Sequence, residues 1–488
     1  MSSTSRGFHE KYFQILEDYF GIHFERMKKN RQGILEATRA SLEAYSPALA
    51  DSVFDTLFEE LTHLDWDSVE HGLRQQGGVK AFIQAPVQFL LSPKSIKRQS
   101  LYADTVALSP PIVHTRRFNY QLMEPIARLS QIIHSSLSLL QMKELFLADT
   151  TPPIAVLVRP APFSSDASHR LWSELSDRDG LHACSEVFDT TFSSESELLE
   201  FVRRHVTLDN LCHDAKKPEV FASRTPSLGG TKYLFREALE LAMKATYGGF
   251  SYAFSSLNDP NLLTFAVEFG ILGAISATDS VLFSCGSYGA QPIADNRKDW
   301  QCLIWKFEHD NEFFAEKLGK GRKDSLVMNA LQLDDFSWLG NVPIEGIVKL
   351  REEGELQDVR DTLNRGIERI ETLSDEDFSE VTKQVGYNLD QEFKRHKAQL
   401  KNLDKEFRRK YDFDVVSVAV GGSIAVMSAH FQPLAVAAGI VGGGGSLMKF
   451  ISDVLAERSK KAELRRKPVA LLFEAYEDRS ERNESSHV

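Results

Sequence analysis

Residues 415–451 read VVSVAVGGSIAVMSAHFQPLAVAAGIVGGGGSLMKFI, and the only charged residue among them is Lys449, near the end. Since 26% of the whole chain is charged, this stretch needs an environment other than water. Pro433 separates two arms, 415–431 and 434–451, each near the lower length that crosses a ~30 Å hydrocarbon layer. The sequence therefore predicts an apolar, glycine-rich helical hairpin, with His430 and Phe431 at its tip.

Three environments would suit this C-terminal hairpin: the core of its own domain, a membrane, or an interface with a partner. Gly439 and Gly443 form a GxxxG pattern, which lets two helices approach closely. The glycine run 442–445 disfavours a membrane span, because each glycine costs a helix about 1 kcal/mol relative to alanine. We expect the hairpin to pack in the core at rest and to engage an anionic membrane surface or a partner conditionally. The expected contact residues are His430, Phe431, Gly439, Gly443, Lys460, Lys461, Arg465 and Arg466.

The composition is that of a globular protein of several domains, with 488 residues, 42% of them hydrophobic, and a formal net charge of -12. This acidic excess argues against a broad nucleic-acid-binding surface, which normally makes a domain basic. The first residues lack the basic start and apolar core of a secretion signal, which predicts a cytoplasmic protein that is peripheral to the membrane if the hairpin engages it. Four cysteines without a CxxC pair agree with a reducing compartment.

Helical periodicity dominates the chain, which predicts a mainly α fold with some β structure, in the α+β class. The predicted domains are a helical domain at 1–150, a mixed α/β middle domain at 151–342, a helical domain at 343–476, and a disordered tail at 477–488. Runs of strand formers predict strands within 101–108, 154–160 and 300–307, while 66–93 is predicted as short helices. The alternation of strands and helices is too irregular to predict a doubly wound sheet.

The long helix predicted before the hairpin carries a coiled-coil-like seam. Its apolar side chains recur at alternating spacings of four and three residues, beginning with Leu389 and Phe393. This pattern makes residues 389–411 the expected contact with a protein partner or with a second copy of the chain.

Five residues of the middle domain carry side chains that zinc accepts, namely His182, Cys184, His205, Cys212 and His213. Their spacing lacks the short pairs, such as CxxC, that mark zinc sites. Buried thiols and surface histidines are the favoured interpretation. No cofactor is predicted, and zinc is the metal that this set would take.

Cys285 is the candidate nucleophile, because it lies in the glycine-rich fragment Ser284–Gly289 after an apolar run. A nucleophilic thiol needs a base, and His309 is the candidate for that role. A tight turn after a buried segment is the favoured interpretation, since no GxSxG or HExxH motif accompanies Cys285.

Two functions follow from these features. The first is a non-catalytic cytoplasmic effector or scaffold whose C-terminal hairpin is packed at rest and then engages a membrane or a partner. By analogy, a toxin-like or antiviral-defence effector would have this organisation. The alternative is a hydrolase or metal-dependent enzyme with its site in the middle domain.

Overall fold

A computed structural model shows a mainly helical protein with one small parallel sheet, which confirms the predicted fold class. The structure describes residues 2–27, 31–43, 47–84, 93–110, 125–163, 165–205, 207–217, 235–236, 239–240, 242–244, 259–294, 302–303, 305–306, 322–332, 334–365, 367, 380–395, 398 and 472.

The chain divides into two compact units. The first comprises residues 1–356 and 366–384, and the second comprises 357–365 and 385–488. All four strands belong to the first unit, and two of them, β2 (Thr105–Ser109) and β3 (Ala155–Leu157), pair with each other although Thr150 and Thr151 lie between them in the sequence. The domain boundaries predicted from the sequence stay predictions.

The first unit begins with helices that precede and interleave with the first three strands. These are α1 (Ser2–Arg26), α2 (Arg31–Leu42), α3 (Pro47–Thr62), α4 (Trp66–Gln75), β1 (Lys80–Gln84), α5 (Pro93–Ser100), β2 (Thr105–Ser109), α6 (Pro125–Leu140), α7 (Lys143–Leu147) and β3 (Ala155–Leu157).

A largely helical section follows and contains the fourth strand. Its elements are a 3-10 turn (Ala161–Phe163), α8 (Asp166–Phe188), α9 (Glu195–Arg203), α10 (Leu208–Asp214), α11 (Pro260–Phe265), a π-helical segment (Ala266–Leu272), α12 (Gly273–Tyr288), β4 (Gln291–Ile293), α13 (Arg322–Ala330), a 3-10 segment (Asp334–Asn341) and α14 (Ile344–Glu352).

The sheet has the strand order β3-β2-β1-β4, and every neighbouring pair is parallel. Ala81, Phe82 and Ile83 of β1 are all buried, so both faces of this central strand are covered. On one face the Phe82 ring stacks on Tyr288 of α12, with 6.1 Å between the ring centroids. The chain passes from β1 to β2 and β3 on one side, while β4 pairs on the other side of β1. This is the strand order of a doubly wound sheet, which the sequence did not predict.

The strands show where sequence patterns succeed and fail. The predicted strand at 154–160 contains β3, and the one at 101–108 overlaps β2 at residues 105–108. The helical prediction for 66–93 is confirmed at α4 and wrong at Lys80–Gln84, which forms β1. The strand prediction for 300–307 is also wrong at the four residues described there, which are helical: 302, 303, 305 and 306.

Residues Asn261–Tyr288 form one continuous helical stretch against the sheet. Within the described part of the chain, this is the one helix long and apolar enough to cross a membrane, by length and composition alone. In its most apolar window 59% is buried inside the protein, as in the core helix of a soluble protein. Contacts of α12 with β1 and β4 give this stretch a role in covering the sheet.

The described part of the second unit pairs two helices. Residues 380–395 form α16, which begins in the first unit, and α15 (Leu356–Asn364) precedes it. Asn388 Nδ2 donates to the Leu363 carbonyl at 3.1 Å, and Glu392 accepts from Arg365. Leu389 and Phe393, the first two seam residues, are buried within the chain itself.

Candidate functional site

The carboxyl edge of the sheet is the first candidate site. In open parallel sheets, ligands bind outside the carboxyl ends of the strands, at the point where the strand order reverses. Here that point lies between β1 and β4. Helix α5 connects β1 to β2 and therefore starts at this edge. The end of β4 is at the same edge.

Asn329, on α13, fixes the end of β4. Its Oδ1 accepts from the Ala294 amide at 2.9 Å, and its Nδ2 donates to the Pro292 carbonyl at 3.0 Å. Just after α13, Gln332 Nε2 donates to the Ser95 carbonyl in the first turn of α5, at 3.4 Å. These bonds hold α5, α13 and β4 together at the edge.

Helix α5 carries Lys97 in its last turn and Lys94 in its first turn, where the positive end of the helix dipole disfavours a cation. Lys94 is exposed and Lys97 is partly buried. Burial and the neighbouring Lys94 lower the pKa of Lys97, and Glu345 of α14 opposes this shift. An anion bound near this turn would relieve the repulsion between the two lysines.

A buried ionic cluster lies deeper in the first unit, between α8, α12 and the helical residues 305 and 306. Lys306 is 1% exposed, and its Nζ lies 2.9 Å from Oδ1 of Asp279. It also pairs with Asp179, which receives a second ion pair from Arg178 at 2.9 Å. The negative charges of the two aspartates are thus balanced by the positive charges of Lys306 and Arg178. The cluster joins three segments that are far apart in the sequence.

A second buried carboxylate, Glu70 on α4, stabilises the chain just after β3. It is 1% exposed and accepts from Arg159 Nε at 2.8 Å and from the Arg159 amide at 3.2 Å. Arg74 approaches its other oxygen at 3.4 Å. The Tyr288 hydroxyl donates to the Arg159 carbonyl at 2.6 Å. These bonds explain why Arg159 is ordered at the carboxyl edge.

The five predicted zinc ligands take different environments. Cys184 is fully buried in an apolar cluster with Phe188, Val202 and Leu211, and burial raises its pKa to about 12. His182 is exposed and lies 3.5 Å from Glu186. Among the described residues, no group of three or more His, Cys, Asp or Glu side chains is arranged to hold a metal ion.

His205 and His213 do approach each other through a shared carboxylate. Asp214 lies 2.9 Å from His205 Nε2 and 3.5 Å from His213 Nδ1. These contacts lower the pKa of Asp214. Cys212 is half-buried beside them, and burial raises its pKa. The contacts of Asp214 with His205 and His213 therefore connect the end of α10 to the residues that follow α9.

Cys285 lies in α12 and not in a turn, since the helix continues to Tyr288 and ends at Gly289 with a left-handed φ of 62°. Cys285 is only 4% exposed, and burial raises the pKa of its thiol well above the usual value. At neutral pH it is therefore a protonated thiol and a poor nucleophile. Its candidate base, His309, lies outside the described residues.

The predicted membrane and partner contacts also lie outside the described residues. They are His430, Phe431, Gly439, Gly443, Lys460, Lys461, Arg465 and Arg466, together with most of the 389–411 seam.

Sequence patterns did not predict which side chains form the ionic cluster or which ones hold the elements together at the sheet edge. Asp179 and Asp279 are isolated acids on different helices, and no local motif relates them to Lys306. The one available signal was a charged residue inside an apolar run, as at Asp279 within Asn261–Leu282.

Comparisons of the chain with family models, curated proteins and solved structures found no match.

Proposed function

We propose that the protein is a non-catalytic effector or scaffold whose residues 415–451 pack in the core at rest and engage a membrane or a partner when it is present. The observation that carries this proposal is the uncharged run from Val415 to Met448. It follows Arg408, Arg409 and Lys410 and precedes residues 449–467, which contain seven Lys or Arg against three Asp or Glu. Apolar segments flanked by cations on both sides favour contact with an anionic cytoplasmic leaflet. A cytoplasmic location and a toxin-like or antiviral-defence role stay predictions from this organisation.

The buried environment of Cys285 supports the non-catalytic part of the proposal. A thiol with a raised pKa, inside a helix that covers the sheet, is an ordinary core side chain. The contact between two copies of the chain would have to use seam residues beyond Phe393, because Leu389 and Phe393 are already buried.

Liposome flotation of the full chain tests membrane engagement. The variant Val426→Asp with Ile440→Asp places one charge in each arm, and a charge in the centre of a membrane helix costs about 2.5–3.5 kcal/mol. We expect the wild type to float with anionic liposomes and this variant to stay in the dense fraction. The matched control is Val426→Leu with Ile440→Leu, which should float like the wild type. Equal flotation of the aspartate variant would contradict the proposal.

The strand order favours a second candidate, a binding site for a small anionic ligand at the carboxyl edge of the sheet. It is supported by the reversal of strand order at β1, by Lys94 in the first turn of α5 and by Lys97 one turn later. This candidate would move the enzymatic site of the alternative function from Cys285 in the predicted middle domain to the sheet edge, whose two lysines lie within residues 1–150.

Thermal unfolding with inorganic phosphate or ATP tests this second candidate. A ligand present at 100 times its Kd stabilises the folded protein by about 2.7 kcal/mol, which raises the unfolding temperature measurably. Lys94→Gln with Lys97→Gln should abolish the increase, while the exposed Lys11→Gln should retain it. An increase that survives in the double variant would exclude this turn as the binding site.

A further inference from the structure

One lysine and two aspartates meet in the core of the first unit. The side chain of Lys306 is 1% exposed, and those of Asp179 and Asp279 are 8% and 0% exposed. The Lys306 Nζ contacts a carboxylate oxygen of Asp179 and lies 2.9 Å from Oδ1 of Asp279. An amine is therefore held against two carboxyl groups in a place that bulk water does not reach.

The two carboxylates have different surroundings. Oδ1 of Asp179 accepts from Arg178 Nε at 2.9 Å, whereas its Oδ2 contacts the ammonium group of Lys306. The guanidinium would stabilise negative charge that develops on Oδ1 during an addition to Cγ of Asp179. Asp279 contacts the same ammonium group from α12. Asp179 is therefore placed as an electrophile, and Asp279 is placed to accept a proton from the amine.

The backbone next to these side chains is closely packed. Gly180 follows Asp179 on α8, and a Cβ added to it would lie 3.0 Å from a methyl carbon of Leu272. Trp305 precedes Lys306, belongs to an apolar core cluster and donates from its ring nitrogen to Glu186 of α8 at 3.3 Å. This packing keeps the amine and the carboxyl group in contact, which is the condition for a fast reaction within one molecule.

We propose that Lys306 and Asp179 condense into an intramolecular amide bond with the loss of one water molecule. Removal from water disfavours the charged form of an amine, so burial favours the neutral, nucleophilic form. Well-oriented groups in one molecule react as if present at about 10⁵–10⁸ M, which favours condensation at a site without bulk water. The amide also removes two charges from the core, where a charge is costly.

The reaction balances without any further reagent and starts from the ion pairs of the structure. The ammonium group transfers one proton to Oδ2 of Asp179, and the neutral amine then attacks Cγ of this residue. As the carbon–nitrogen bond forms, the nitrogen passes a second proton to the Asp279 carboxylate. Asp279 returns this proton to the Oδ2 hydroxyl, the carbon–oxygen bond breaks, and water leaves. Asp279 is a carboxylate again at the end and has acted as general base and general acid.

The bond would close the chain into a loop between residues 179 and 306. Such a loop restricts the unfolded chain as a disulfide does, but it forms without an oxidising compartment. The bond concerns the first unit alone, so it is independent of membrane engagement by residues 415–451.

Mass spectrometry of the purified full chain tests the inference. We expect an intact mass about 18 Da below that of the sequence, because one water molecule is lost. A tryptic digest should contain a branched peptide that joins residues 179–203 to residues 299–317 and is uncleaved at Lys306. The ion pair of Lys143 with Glu17, at 2.6 Å, is the internal control. It is partly exposed and should remain unlinked in the same digest.

A variant tests the role of Asp279. Asp279→Ala keeps Lys306 and Asp179 as a charge-balanced pair but removes the proton acceptor, so the bond should form about 100-fold more slowly. The branched fraction at intervals after cell-free synthesis measures this rate, and an unchanged rate would contradict the role of Asp279. A wild-type protein with the full sequence mass and no branched peptide would overturn the inference, whether or not the variant folds. A branch at Asp279 in place of Asp179 would also overturn it.

Discussion

The ammonium group of Lys306 lies 2.9 Å from a carboxylate oxygen of Asp279, and both side chains are almost completely buried. Asp179 binds the same ammonium group from α8. A buried charge is tolerated only when a partner of opposite charge compensates it. The cluster therefore determines how α8, α12 and the residue Lys306 pack together.

Replacing Lys306 with methionine should strongly destabilise the first unit. The substitution keeps the volume but leaves Asp179 and Asp279 buried without their shared cation, which costs about 3–5 kcal/mol of unfolding free energy. Chemical denaturation followed by tryptophan fluorescence will measure the loss. Lys349→Met is the control, since its partner Glu353 is largely exposed, and it should not change the midpoint measurably.

A second substitution distinguishes charge from packing in this cluster. Adding Asp279→Leu to Lys306→Met removes a buried charge together with its partner, so part of the lost stability should return. If Lys306→Met unfolds at the wild-type midpoint, the ionic cluster does not stabilise the fold.

His9 should make the protein less stable in mild acid. The Leu157 amide donates to His9 Nε2 at 3.0 Å on the outer edge of β3, so this nitrogen must be unprotonated. Burial lowers the pKa of His9 from 6.5 to about 3. Between these two values the unfolded chain binds a proton that the folded protein does not, so stability falls as the pH decreases from 6.5 towards 3.

The expected contribution of His9 is about 1.4 kcal/mol of unfolding free energy per pH unit in that window. His9→Gln keeps an acceptor for the Leu157 amide but does not titrate, so its stability should depend less steeply on pH. Denaturation curves at several pH values will measure both slopes, with the exposed His213→Gln as the control. Parallel slopes for wild type and His9→Gln would show that His9 does not govern this pH dependence.

Glu70→Gln should weaken the structure at the end of β3. The carboxylate accepts from the amide and the guanidinium of Arg159, and a neutral amide replaces these charge-assisted hydrogen bonds poorly. The expected loss is about 2 kcal/mol of unfolding free energy, measured by denaturation. Glu10→Gln, which breaks only the exposed pair with Arg6, should have little effect. Equal midpoints for both variants would refute a special role for Glu70.

The sequence predicted β2 and β3 because their apolar strand formers, such as Val106–Leu108 and Ala155–Leu157, are bounded by proline-rich breaks. It missed β1, where Lys80 at the start of a short run does not resemble a buried strand. The structure explains why a lysine occupies this buried position. Its Nζ donates to the carbonyls of Leu73 and Gln76 at 3.0 and 2.9 Å, a local cap that strand propensities cannot reveal.

The candidate sites were less predictable because they depend on contacts distant in sequence. Lys306 is helical and contacts Asp179 and Asp279, whereas the strand prediction gave it no such neighbours. The strand order likewise depends on β4, a strand of three residues that includes Pro292. Periodicity over so few residues carries too little information to predict a strand or its partner.

The central claim concerns residues 415–451, and hydrogen–deuterium exchange of the full chain tests it most directly. Backbone amides of a segment that enters a membrane form hydrogen bonds in a water-free environment and exchange slowly. We predict that adding anionic liposomes changes the exchange rates within 415–451, because the segment exchanges the domain core for the bilayer, and that Val426→Asp with Ile440→Asp abolishes this change. Exchange within 415–451 that is identical with and without liposomes would contradict membrane engagement by this segment.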